Sequence, residues 1–176
     1  MAFSTGLAAH PSTCEIRVTA SDRRRARLMA CLLADVGQAQ GWLPLTIRTI
    51  ARPEWRPRNG GTEWVSVQFA GESNAPAEVV AVLDEDLYEE PDHGLVLLNS
   101  RESRRSDRLR SLDANSIASA LGVPAYLPMV GAVARLAGWS NLEQVKSAVG
   151  VALQESAPQW LQPGLQAVEA GYRALA

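Results

Sequence analysis

Two runs that are apolar at successive positions, Glu78-Val-Val-Ala-Val-Leu83 and Leu95-Val-Leu-Leu98, constrain the fold of this chain more than any other feature. A strand with one wet face alternates between apolar and polar residues. A strand apolar throughout needs cover on both faces, which is the condition of inner strands in a mostly parallel sheet. Glu15-Ile-Arg-Val-Thr19, Leu45 to Ile50 and Trp64 to Phe69 supply further strands, the first and third by alternation and the second by its flanking Pro44 and Pro53. From Ser21 the period changes: Ala26, Met29, Leu32, Leu33 and Val36 recur at helical spacing, and Gly37 and Gly41 mark where that helix should end. Pro53 to Gly61 is dense in turn formers and reads as a loop. Arg101 to Arg110 is charged and without period, and reads as an exposed connection.

The last third reads as helical. Asp113 to Leu121 is closed by Gly122 and Pro124, and Ser140-Asn-Leu-Glu143 has the spacing of a capping box. That box opens a helix with Leu142, Val145, Val149 and Leu153 on one face, and Gly164 to Leu175 supplies a final amphipathic helix. Strands alternating with helices predict an α/β fold: a three-layer, Rossmann-like domain with a mostly parallel sheet and a helical C-terminal third. The 176 residues suit a single domain over 15–176 behind an N-terminal tail, 1–14.

Composition removes several functions. The 17 basic residues, of which Lys146 is the sole lysine, are balanced by 19 acidic ones, so no nucleic-acid footprint is expected. No run reaches the length of a membrane span, and Met1 to Glu15 lacks the pattern of a secretory signal, so a cytoplasmic location is expected. Cys14 and Cys31 are the only cysteines. With no CxxC pair, they fit a reduced setting, although a disulfide between them remains compatible with the sequence. His10 and His93 are the only histidines, and neither sits in a catalytic or zinc motif. Asp84-Glu-Asp86 follows a buried strand; it has the charge to bind a cation, and equally the character of acidic residues opening a short helix.

Ligands of such sheets gather where strands end and helices begin. The first such junction is Thr19-Ala-Ser-Asp-Arg-Arg-Arg25. A dinucleotide site would place glycines here, because only a backbone without Cβ lets a pyrophosphate approach the helix N-terminus. Instead three arginines crowd the positive end of the helix dipole. Their side chains either hold a phosphate or a partner's carboxylates, or point into solvent beside Asp22. The chain's five tryptophans leave a similar choice between interface and core.

Taken in order, four segments resemble the gamma subunit of the 2-oxoacid:ferredoxin (acceptor) oxidoreductases. Arg52-Pro-Glu-Trp-Arg56 with Gly60-Gly-Thr62 is similar to that family's Gly-Pro-Glu-x-Arg-Gly-Gly loop, with about two residues inserted. Val79 to Asp84 and Gly94 to Ser100 resemble its paired buried strands, the second closing in Asn-Ser. Asp113-Ala-Asn-Ser-Ile-Ala118, Met129 to Gly138 and Ser140-Asn-Leu-Glu143 follow its helical series, and Leu165 to Tyr172 its closing helix. The resemblance implies an accessory subunit with no catalytic residues of its own. Partner chains, namely catalytic alpha and beta subunits and a delta-type iron–sulfur subunit, would carry thiamine diphosphate, Mg and [4Fe-4S] clusters, and would oxidise a 2-oxoacid to an acyl-CoA. A chain with two cysteines agrees with that division, since each cluster takes four cysteine ligands.

Coenzyme A contact is the role the resemblance implies for this chain. The positions it points to are Ser21, Asp22, Arg23 and Arg24 at the junction, and Glu54, Arg56, Gly60, Gly61 and Thr62 in the loop. The junction departs from the family, whose Gly-x-Gly-Gly-Gln-Gly turn is replaced by Ala20-Ser-Asp-Arg-Arg-Arg25, and Tyr126 stands where relatives often have asparagine. Either arginine side chains have taken over the phosphate contact, or the site is lost and the chain is a structural scaffold of the complex. An independent nucleotide-binding enzyme, the third possibility, is opposed by the missing glycines.

Overall fold

The structure, a computed structural model, describes residues 12–51, 63–71, 78–88, 94–139 and 141–175. Strand β1 (Ser12–Thr19) begins ahead of the alternation that signals it and occupies the middle of a six-stranded sheet. Helix α1 (Arg23–Ala39) leads to β2 (Leu43–Ala51) at one edge, and β3 (Glu63–Gly71) pairs antiparallel with both β2 and β1. On the other side of β1, strands β4 (Glu78–Val82), β5 (Leu95–Asn99) and β6 (Leu109–Leu112) follow in succession, each parallel to its neighbour. The order is therefore β2-β3-β1-β4-β5-β6: four parallel strands with an antiparallel ribbon at one side. β6 corrects the reading of residues 101–110 as connection alone. Four residues containing an arginine leave no sequence signal, and an edge strand tolerates both brevity and charge.

The register explains the two apolar runs. Ile16 lies opposite Val67 and beside Val79, and Val18 lies opposite Val65 and beside Ala81, so these side chains share one face with Phe69 and Leu97. That face meets α1, α2 (Ala114–Leu121), α3 (Tyr126–Leu136), α4 (Leu142–Ser156) and α5 (Leu161–Ala174) in one continuous core. The intervening residues Val82, Val96 and Leu98 form a second cluster on the opposite face, with Val80, Leu87, Tyr88 and Leu109 packed against it. Among the described residues this third layer is thin: Tyr88 and a 3-10 turn, Glu85–Leu87, supply it in place of an α-helix.

Local chemistry sets the element ends. Asp113 caps α2 by accepting from the Ser116 amide at 2.9 Å, and Gly122 ends it in the left-handed conformation, φ 67°. α1 runs through Gly37 and ends at Ala39, between the two glycines that mark its expected end. Gly37 is needed for packing: a Cβ there would sit 2.5 Å from Phe69 Cε1. Phe69 in turn meets Trp139 edge-to-face, with centroids 5.5 Å apart, which assigns that tryptophan to the core. α4 opens one residue later than the capping box predicts. Its cap is Asn141, which accepts from the Gln144 amide at 3.1 Å, while Ser140 lies outside the described residues. The final helix begins at Leu161, ahead of the predicted Gly164.

Asn99, at the end of β5, is buried and holds three elements together. Its amide nitrogen donates to the Leu83 carbonyl at 2.8 Å, beyond β4, and its oxygen accepts from the Ala114 amide at 3.0 Å, at the start of α2. Asn99→Ala leaves both backbone groups without this partner and is expected to cost about 2 kcal/mol. Urea unfolding monitored by tryptophan fluorescence checks this, since the midpoint should fall with the slope unchanged.

Candidate functional site

β1 and β4 are where the strand succession reverses: from β1 the chain winds toward β2, and from β4 it winds toward β6. In open α/β sheets the crevice beyond the C-terminal ends of two such strands is the ligand seat. The β1–α1 junction and the segment after β4 meet there. The ladder runs to the end, with the Leu83 amide donating to the Thr19 carbonyl at 2.9 Å. Beyond it the Asp84 carboxylate turns toward the junction. Its Oδ2 accepts from the Ser21 amide at 2.6 Å and from the Ser21 hydroxyl at 2.8 Å. Arg25 completes the knot, its Nη2 lying 3.0 Å from Asp84 Oδ2, 3.1 Å from Oδ1 and 3.0 Å from Ser21 Oγ.

The arrangement has a simple electrostatic meaning. A backbone amide at a strand-to-helix turn, backed by a helix dipole and an arginine, is the equipment that holds a phosphate oxygen. Here the protein's own carboxylate takes those donors. Burial pushes the Asp84 carboxyl up, but the Ser21 amide and hydroxyl together with the Arg25 guanidinium outweigh it. The net result lies below the ordinary carboxylate range.

Next to this knot is a cleft of about 350 Å³, lined by Ser21, Asp84, Glu85, Asp86, Asn99 and Arg101 among others. Three of those groups are carboxylates, but Asp84 is paired with Arg25 and Arg101 adds a cation, so the lining is mixed in charge. Glu85 is held by Arg104 at 2.8 Å, and Glu85 and Asp86 open the 3-10 turn. The acidic triplet therefore acts as a helix opening together with the Asp84 clamp. Among the described residues, no group of three or more His, Cys, Asp or Glu side chains is arranged to hold a metal ion.

The residues expected at the junction fall into distinct roles. Ser21 is in the knot. Asp22 is the N-cap of α1, its Oδ1 accepting from the Arg24 amide at 2.8 Å. Arg23 and Arg24 are exposed on the first turn, whereas Arg25 reaches Asp84. Arg25 and Asp84 thus form a pair at the junction that the sequence expectations omit. The sequence carries no local signal for this pair, whose members lie 59 residues apart. Glu54, Arg56, Gly60, Gly61 and Thr62, like His10, His93 and Trp55, lie outside the described residues. Tyr126 is buried at the start of α3, and burial pushes its hydroxyl up.

A second polar cluster, also absent from the sequence expectations, lies on the opposite sheet face. Arg17 meets Glu78 at 2.8 Å and Glu15 at 3.1 Å, with its guanidinium 4.8 Å from the centroid of the Trp64 ring. These side chains tie together β1, β3 and β4. Among the described residues, no helix is long and apolar enough to cross a membrane.

The strand order and the helices on the main face define a Rossmann-like α/β domain, closed by its own carboxylate at the usual ligand seat. This fold is that of the gamma subunits of 2-oxoacid:ferredoxin oxidoreductases. A pyruvate oxidoreductase subunit from Thermotoga maritima matches with a TM-score of 0.66 and 21% identity, covering 92% of this chain and 96% of that one. The gamma subunit of a keto/oxoacid ferredoxin oxidoreductase from Geobacter sulfurreducens matches with a TM-score of 0.66 and 17% identity, over 92% and 98% of the two chains. A 2-oxoglutarate:ferredoxin oxidoreductase from Magnetococcus marinus, solved with 2-oxoglutarate, coenzyme A and succinyl-CoA bound, matches with a TM-score of 0.67 and 14% identity. That match covers 95% of this chain and 32% of the larger one. No protein-family model matches the sequence, and no curated protein is similar to it by sequence. At these identities the likeness is one of fold.

Proposed function

We propose that this chain is a gamma-type subunit of a 2-oxoacid:acceptor oxidoreductase complex. In this reading its partners are catalytic alpha and beta subunits and a delta-type iron–sulfur subunit, all in the cytoplasm. Those partners carry thiamine diphosphate with Mg and the [4Fe-4S] clusters, and convert a 2-oxoacid to its acyl-CoA. The chain itself supplies structure and contact surface from a single domain, whose first strand takes in Ser12 to Cys14 of the expected tail. The observation that carries the reading is the near end-to-end match to two gamma-type chains, 92% of this chain against 96% and 98% of those.

Within that reading the junction is a structural clamp. The Ser21 amide and Arg25, the donors a phosphate would use, are already engaged by Asp84, which disfavours a phosphate there. Asp84 joins the start of α1 to the end of β4 in the position a ligand would otherwise bridge.

A second reading is favoured by the Magnetococcus marinus protein, which is solved with coenzyme A bound. There Arg23, Arg24 and the loop carrying Glu54, Arg56, Gly60, Gly61 and Thr62 would contact the coenzyme. The two readings part on the intact complex carrying Arg23→Ala and Arg24→Ala. The clamp predicts a KM for coenzyme A within about twofold of the parent. A rise of about tenfold or more, with kcat held, assigns coenzyme binding to these arginines instead.

A further inference from the structure

We propose that the groove between α1 and α4 is the docking site for a basic amphipathic segment of a partner subunit, seated through its apolar side with a lysine or arginine between two groove carboxylates. The proposal rests on the reading of this chain as one subunit of a complex. The groove encloses about 620 Å³. Leu28 on α1 and Val151 on α4 face it, at 43% and 59% exposure, and are among the few large aliphatic side chains so exposed in the described residues. Scattered exposed aliphatics need no explanation, but two on the facing walls of one concave surface form the kind of patch that proteins cover.

Charge says what covers it. Asp35 on α1 and Glu155 on α4 also line the groove, and neither has an ion-pair partner among the described residues. Asp35 is exposed at the groove's edge, yet the protein around it pushes its carboxyl up and the Glu155 charge raises it further. Two like charges flanking an apolar floor favour an occupant with an apolar side and a cation, because a cation between them relieves both burial and repulsion. A helix laid in a groove between helices supplies that combination with few contact residues.

Cys31 makes the site measurable. It is an exposed free thiol lining the groove, whereas Cys14 is buried on β1 and burial, aided by Glu15, pushes its thiol up to about 11. Alkylation with N-ethylmaleimide therefore reports Cys31 alone. In the purified complex Cys31 is expected to react at least about tenfold more slowly than in the isolated full-length chain. Val151→Glu and Glu155→Lys, both at exposed positions, should reduce recovery of the complex while leaving the far-ultraviolet spectrum unchanged, and Val151→Leu should retain it. A complex that forms normally with Cys31 fully reactive, or with Val151→Glu tolerated, overturns the docking site and leaves the subunit reading intact. Protection that grows with concentration in the isolated chain, as its native mass doubles, makes the occupant a second copy and overturns the proposed partner. A chain that recovers no partner at all contradicts the subunit reading itself.

Discussion

Gly171→Ala and Gly131→Ala are each expected to destabilise the protein by more than about 3 kcal/mol, the largest single-residue effects the fold implies. α3 and α5 cross so closely that each presents a glycine to the other's backbone. A Cβ on Gly131 would lie 1.9 Å from the Val168 carbonyl oxygen, and one on Gly171 would lie 1.9 Å from the Pro128 carbonyl oxygen. Backbone cannot yield as a flexible side-chain tip can, so a methyl group at either position forces the helices apart and loosens the core around Leu127, Val130 and Val168. Gly150 provides the opposite case within the same fold. It is also helical, on α4, but a Cβ there would meet only the side-chain tips of Leu165 and Leu161, at 3.7–3.9 Å, which is ordinary contact. Gly150→Ala should therefore be neutral or stabilising by up to about 1 kcal/mol, as helix propensity alone dictates. Thermal unfolding separates the two, with a fall of about 10 °C for the crossing glycines and none for Gly150.

Asp84→Ala is expected to cost about 2–3 kcal/mol, since it removes the acceptor of the Ser21 amide and hydroxyl and leaves Arg25 only the looser carboxylate contact with Asp22, at 3.8 Å. The loss should also depend on pH. Asp84 is more acidic folded than unfolded, because the Ser21 and Arg25 donors outweigh burial. A group whose pKa is depressed by folding contributes its stability above the unfolded value, near 4, and loses it as pH falls through the lower folded value. The parent and the variant should therefore differ most in melting temperature at neutral pH, and the gap should narrow as the solution is taken below about pH 4. A gap constant from pH 7 to about pH 2 would mean that packing, and not the charged knot, accounts for the difference.

How legible this was from sequence depends on how far apart the interacting residues lie. β4 and β5 were readable because burial on both faces leaves runs with no polar interruption, and the structure pairs them as parallel neighbours in the sheet. β6 was not, because an edge strand of four residues asks for no pattern. The cap of α4 was displaced because two boxes overlap: Ser140 with Glu143, and Asn141 with Gln144, and the backbone uses the second. The junction and its arginines are legible in the sequence, but the partner of Arg25 lies 59 residues away, and no local rule connects them. Several segments that carried the family resemblance have structural reasons. Asn99 ties β5 to β4 and α2, while Gly131 and Gly171 permit the α3–α5 crossing. Residues of this kind preserve a fold without reporting on chemistry, which is why the likeness reaches the architecture before it reaches the site.

The proposed subunit role comes first, and the closure of the sheet's usual ligand seat by Asp84 follows within it. The clamp gives α1 a fixed origin on the sheet, and α1 with α4 forms the groove offered to a partner. The subunit role is the one on which the rest depends. Purification of the tagged full-length chain from its native host, followed by native mass spectrometry with iron and thiamine diphosphate determination, tests it most directly. The predicted result is a larger assembly in which this chain accompanies subunits bearing thiamine diphosphate and iron–sulfur clusters. Recovery of the chain alone, at its monomer mass and with neither cofactor accompanying it, would contradict the account.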